Sequence, residues 1–142
     1  MKQIYYIKLK GYKYLLKRDY FHNIGIKGFD VATSYLELSA SGLLRIKASY
    51  AWDGASGPTF DTKSSMRGSL VHDALYQMIR LKKIPVSYRR LADEILEAIC
   101  LEDGMWRIRA FLWERGVRRF AGIFARPGSE KPEEILCAPD ND

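Results

Sequence analysis

The spacing of apolar positions changes period part-way along the chain. Over the first 50 residues it is strand-like. Thr33 to Leu38 (TSYLEL) alternates apolar and polar residues, and Leu43 to Tyr50 (LLRIKASY) roughly continues that alternation. Tyr12 to Tyr20 mixes aromatics with charges, with Gly11 ahead of it. Between the two clearer segments, Ser39-Ala40-Ser41-Gly42 has hairpin-loop chemistry, because glycine accepts a positive φ. These features predict a small N-terminal antiparallel sheet.

From about residue 65 the period becomes helical. Leu70, Val71, Ala74, Leu75, Met78 and Ile79 form one apolar face, which predicts a helix capped by Ser64 or Ser65 and running to about Leu81. Pro85 breaks the chain. Ser87 is the expected cap of a second helix to about Leu101, with Leu91, Ile95, Leu96 and Ile99 inward and Gly104 ending it. The short connection makes the two helices antiparallel. A third helix is expected from about Met105 to Phe124, burying Ile108, Phe111, Leu112, Val117 and Phe120. Residues 51–64 (AWDGASGPTFDTKS) carry the turn signals Asp53-Gly54 and Gly57-Pro58 and are too long for a tight connection, so they read as a functional loop. Residues 126–142, rich in proline and acid, read as a mobile tail. The fold class is therefore α+β: one domain over 1–125, with a β-rich part at 1–50, the loop at 51–64 and a helical part at 65–124. No internal repeat is visible.

Composition narrows the classes. With 142 residues, 47% hydrophobic and 13% aromatic, the chain can bury a core and is not a disordered segment. A net charge of +6 favours anionic surfaces: phospholipid, nucleic acid or an acidic protein. Much of that charge falls on the expected third helix, where Arg107, Arg115, Arg118 and Arg119, with Arg109, form a basic surface. Two cysteines, Cys100 and Cys137, make neither a disulfide framework nor a zinc motif, and read as free thiols in a reducing compartment. The N-terminal stretch gives no unbroken apolar run, so neither a signal peptide nor a transmembrane segment is expected. P-loop, GxSxG, HExxH and zinc-finger patterns do not occur.

The chemistry concentrates on the helical hairpin. His72 and Asp73 sit mid-helix among Leu70, Val71, Ala74 and Leu75, and Tyr76 lies one turn after His72 on the same face. A carboxylate beside an apolar stripe is costly unless it is paired or bound to a cation. Asp93, among Leu91, Ile95 and Leu96, is the obvious partner for His72. A carboxylate on one ring nitrogen fixes the tautomer and leaves the other nitrogen as a base. Asp53 and the backbone of Gly54, Ser56, Gly57 and Pro58 could add oxygen ligands to Asp73 for a hard cation such as Ca²⁺. The same residues would equally serve a buried hydrogen-bond network pinning three elements together. Tyr50, Trp52 and Phe60 flank the loop, where they line an apolar substrate mouth, insert into a membrane surface or pack as core. His22, near Asp19 and Asp30, reads as a surface histidine.

The run Asp53-Gly-Ala-Ser56, then Val71-His72-Asp73-Ala-Leu-Tyr76, then Arg90-Leu-Ala-Asp93 resembles a phage- and prophage-encoded family known as "domain of unknown function 1353", over about residues 45–122. That resemblance implies a bacteriophage or prophage origin, hence a viral protein in the host cytoplasm or the virion, and supplies no activity. More distantly, His-Asp-x-x-Tyr on one helix with an Asp on the partner helix is similar to the core of the phospholipase A(2) superfamily, its bacterial members above all. What this implies is a hydrolase in which His72 is the general base, Asp93 orients it, Tyr76 braces Asp93, and Asp73 with Asp53 and loop carbonyls holds Ca²⁺. Trp113 and the following Val-Arg-Arg-Phe resemble the closing helix of the bacterial members. The chain departs from that superfamily in lacking paired cysteines and the glycine- and cysteine-rich calcium loop, and in having N-terminal strands.

Three functions remain open at this point. One is Ca²⁺-dependent ester hydrolysis at an anionic phospholipid surface. Another is a non-catalytic virion or assembly protein in which the cluster is structural. The last is nucleic-acid or host-factor binding through the basic third helix, for which no recognition motif is present.

Overall fold

A computed structural model describes residues 2–10, 13–54, 63–105 and 135–139. Among these residues seven strands precede two helices and an eighth strand follows them: β1 (Ile4–Lys8), β2 (Tyr14–Leu16), β3 (Tyr20–Asn23), β4 (Val31–Ala32), β5 (Leu36–Leu38), β6 (Leu43–Ile46), β7 (Ala51–Trp52), α1 (Lys63–Arg80), α2 (Arg89–Glu102) and β8 (Ile135–Ala138). The mixed α+β class holds. In place of one small sheet there are two four-stranded sheets, in the orders β7-β2-β1-β8 and β3-β6-β5-β4, with every pairing antiparallel. Among the described residues there are two α-helices. The expected third, about Met105 to Phe124, lies outside them except for Met105.

The β5–β6 hairpin shows how the alternation is used. Leu36, Leu38, Leu44 and Ile46 point inward, while Glu37 and Arg45 face each other across the outer surface. Its turn closes by Gly42 N–H donating to Ser39 O (3.0 Å) and Ser39 N–H to Leu43 O (3.0 Å). Gly42 sits at φ 95°, and a Cβ there would lie 3.1 Å from Gly25 Cα, so two constraints fix glycine at this position.

The tail expectation is corrected for residues 135–138. They form β8, which pairs with β1 from Ile4↔Ala138 to Ile7↔Ile135. Ile135-Leu-Cys-Ala138 is an apolar run within the acidic segment, and pairing with β1 satisfies backbone groups that a free tail would leave to water. The 51–64 loop is likewise shorter than expected: Ala51–Trp52 pairs with β2, and Lys63 and Ser64 belong to α1. Residues 55–62, with Ser56, Gly57 and Phe60, lie outside the described residues.

The helices meet along their apolar stripes. Gly68 lets them approach closely: a Cβ there would lie 2.8 Å from Cys100 Sγ and 3.0 Å from Leu96 Cδ1. Ser64 and Ser65 stand inside α1 rather than capping it. Ser87 does not cap α2. It lies in a 3₁₀ turn, Val86–Tyr88, in which Pro85 O accepts from Tyr88 N–H (3.1 Å) and Val86 O from Arg89 N–H, so backbone carbonyls do the work expected of the serine. The α2 helix ends two residues before Gly104, as expected.

Tyr6, Tyr14 and Trp52 form an aromatic cluster on the first sheet, with centroids 5.6–5.8 Å apart, and Trp52 Nε1–H donates to Ser69 Oγ on α1 (3.1 Å). Trp52 and Tyr50 are therefore core residues. This corrects the reading of Trp52 as a substrate-lining or membrane-inserting side chain.

A second cross-link joins both helices to the second sheet. Arg67 is fully buried. Its Nε and Nη2 donate to the Asp103 carboxylate at 2.7–3.2 Å, Nη2 also pairs with Glu102 (2.9 Å), and Nη1 donates to Tyr20 Oη (2.7 Å). Tyr20 then donates its own proton to His22 Nδ1 (2.9 Å), stacking on that ring. His22 is thus not the surface histidine expected. Desolvation, with the charges of Lys2 and Arg67, lowers its pKa to about 4. A group with a lowered folded pKa that must stay neutral stabilises the fold above its unfolded pKa of about 6.5. That contribution is lost as pH falls from there towards about 4. Thermal melts should show the wild type losing melting temperature across this window, and His22→Gln should lose less over the same interval. Parallel curves for the two proteins would remove His22 as the cause.

Candidate functional site

The α1–α2 hairpin assembles the site. His72 and Tyr76 lie one turn apart on α1, their ring centroids 4.1 Å apart. His72 Nε2 is 2.7 Å from Asp93 Oδ1 on α2, and Tyr76 Oη donates to that same oxygen at 2.6 Å. The contact expected from sequence between His72 and Asp93 is present. Both residues are buried, at 3% and 2% exposed. At the outer end, Arg89 Nε–H reaches Tyr76 Oη at 3.4 Å.

With Nε2 held by a carboxylate, the proton of a neutral ring resides there and Nδ1 is the acceptor. Nδ1 lies 3.9 Å from Asp73 Oδ1, an electrostatic contact rather than a hydrogen bond. Burial opposes a charged His72 ring, but the Asp73 and Asp93 carboxylates outweigh it and raise its pKa. Desolvation raises Asp73, His72 partly offsets this, and the charge of Asp53 pushes it up further. Tyr76 is raised by burial and by Asp93. Tyr50 Oη donates to Gln77 Oε1 (3.0 Å) and feels the charges of both Asp73 and Asp53, with desolvation as the larger effect.

The charge of Asp53 reaches Asp73, and the Asp73 side chain is 33% exposed. Among the described residues no group of three or more His, Cys, Asp or Glu side chains is placed to hold a metal. Two carboxylates fit part of a Ca²⁺ shell of about 6–8 oxygens. Gly54 is described and buried. The other loop positions named from sequence, Ser56 and Gly57, lie outside the described residues. So do the basic-surface residues Arg107, Arg115, Arg118 and Arg119.

Sequence reasoning missed the Arg67 network. Its signal was available: Arg67 stands at helical spacing with Val71, Ala74 and Met78, which places a cation on the buried stripe and demands a buried acid to meet it.

Comparison with protein-family models, with curated proteins and with solved structures found no match. No described helix is long and apolar enough to cross a membrane.

Proposed function

We propose that the chain is a phage- or prophage-encoded hydrolase of phospholipase A(2)-like design, cleaving esters at anionic phospholipid. One observation carries the reading. His72 is fixed through Nε2 by Asp93, whose same oxygen accepts from Tyr76 Oη, and its Nδ1 is turned towards Asp73, a side chain 33% exposed.

In the proposed reaction, His72 Nδ1 takes a proton from water as the water oxygen attacks the ester carbonyl. The carbon–oxygen bond to the leaving alcohol breaks, and the proton passes from His72 to that alcohol, giving a carboxylic acid and a free alcohol. Asp93 positions the ring and stabilises its charged form, and Tyr76 holds Asp93. Asp73 and Asp53 would hold Ca²⁺, which when bound polarises the carbonyl and neutralises phosphate charge.

Fatty-acid release from anionic vesicles tests this. Ca²⁺ should raise the melting temperature by ligand linkage. Asp73→Asn should remove that rise and the hydrolysis. His72→Gln should keep the rise and lose hydrolysis by about 10²–10⁴-fold. Because His72 must be neutral to act and its pKa is raised, the rate should climb with pH above 6.5. A calorimetric titration of the wild type showing neither heat nor thermal stabilisation would sink the calcium mechanism.

The burial of both His72 and Asp93 favours a second reading, a non-catalytic virion or assembly protein in which the cluster ties α1 to α2. It predicts no Ca²⁺ effect, no hydrolysis and lower stability in both variants.

A further inference from the structure

The turn between the helices has an unusual surface. Residues 80–90 (RLKKIPVSYRR) contain five cations and no acid. Arg80, Lys82, Lys83, Arg89 and Arg90 are all exposed. Two aliphatic side chains stand out among them, Leu81 at 49% and Val86 at 70% exposed. Val86 is the most exposed large apolar residue among those described.

This surface is held in place. Ile84, between the two aliphatics, is buried, and Tyr88 packs edge-on against Phe29 with centroids 5.7 Å apart. The end of α1 closes with Lys82 N–H donating to Ile79 O (3.0 Å) and Lys83 N–H to Met78 O (2.8 Å), with Lys82 at φ 58°. Leu81 and Val86 are thus exposed on a fixed turn, not on a fraying end.

We infer that the α1–α2 connector is a docking surface for an anionic lipid bilayer, with Leu81 and Val86 entering the headgroup–acyl boundary and the five cations meeting lipid phosphates. The two kinds of side chain together select the occupant. A nucleic acid would use the cations and leave both aliphatics in water, and an acidic protein would cover them only by setting an apolar patch among its acids. A second copy of the chain would bring ten like charges together. A bilayer surface satisfies both components at once. Arg89 also contacts Tyr76, so the connector borders the His72 site and would bring it to the lipid. The inference deepens the reading above by naming its lipid-facing surface, and it rests on that reading only for the partner's role as substrate.

Co-sedimentation of the full chain with phosphatidylglycerol or phosphatidylcholine vesicles, in EDTA, reads binding without turnover. The wild type should bind the anionic vesicles and not the neutral ones, more weakly as salt rises. Lys82→Gln and Lys83→Gln should each weaken binding roughly five-fold. Leu81→Ser with Val86→Ser should weaken it on the order of ten-fold at unchanged charge. All variants should melt as the wild type does, since these side chains are exposed. The inference falls if the wild type ignores phosphatidylglycerol, or if the variants bind it as the wild type does, which would move docking to another basic surface. It falls too if the charge variants lose duplex DNA as strongly as lipid while the aliphatic pair changes nothing. Vesicle binding without hydrolysis leaves the docking surface standing and removes the catalytic reading. Hydrolysis of a dispersed short-chain ester without vesicle binding does the reverse.

Discussion

Replacing Arg67 by methionine should cost roughly 3–5 kcal/mol in urea unfolding at neutral pH, the range for breaking a buried ion pair from one side. The guanidinium is wholly buried and serves Asp103, Glu102 and Tyr20. Methionine fills much of the volume but leaves the Asp103 carboxylate, 1% exposed, without its bidentate donor. Burial already pushes the Asp103 pKa up, against the pull of Arg67. Without the arginine it should rise further, so the deficit should shrink as pH falls and Asp103 takes a proton. Pairing Arg67→Met with Asp103→Leu should recover most of the loss, because an apolar pair carries no stranded charge. A single variant within about 1 kcal/mol of wild type would show that the network contributes little.

Asp93→Asn should have the largest effect on chemistry. One oxygen of Asp93 meets both His72 Nε2 and Tyr76 Oη, and its negative charge helps raise the His72 pKa. The amide keeps the shape and an acceptor but not the charge. The His72 pKa, followed by NMR through the ring C–H signals, should therefore fall. Any ester hydrolysis should drop by about 10²–10⁴-fold, since the charged ring formed during proton transfer loses its counter-charge. Stability should fall by about 1–3 kcal/mol. A His72 titration unchanged by the substitution would break the coupling on which both the catalytic and the structural readings depend.

The helices were legible because their apolar stripes repeat locally: Leu70, Ala74, Leu75 and Met78 read directly as a buried face. His72, Tyr76 and Asp93 were legible for the same reason, since polar residues on such a stripe need partners and the hairpin offers few. The sheets were harder. Alternation showed β5 and β6 with their turn, but not that β2 and β3 join different sheets, because strand partners are set by packing at a distance. Ser87 misled because local capping chemistry competes with a backbone solution, the 3₁₀ turn, that composition does not announce. Trp52 stayed open between core and loop because its neighbours Asp53 and Gly54 read as loop, while its own cross-strand partner, Tyr14, is far away in sequence. His22 misled because the arginine whose charge helps lower its pKa enters from α1.

The pairing of β1 carries an order of events. On one side it meets β2, with Ile7 opposite Leu15, and on the other β8, with Ile4 opposite Ala138. The second pairing spans about four more doublings of chain length, each costing roughly 0.6 kcal/mol in loop closure. The hairpin can therefore zip early, while β8 must wait until the helices have drawn the chain back across the sheet. During that interval the outer rim of β1 presents bare amides and carbonyls, the template on which another molecule can add a strand. Arrival of Ile135–Ala138 pairs that rim and moves the end of the sheet, among the described residues, from the five-residue β1 to the four-residue β8.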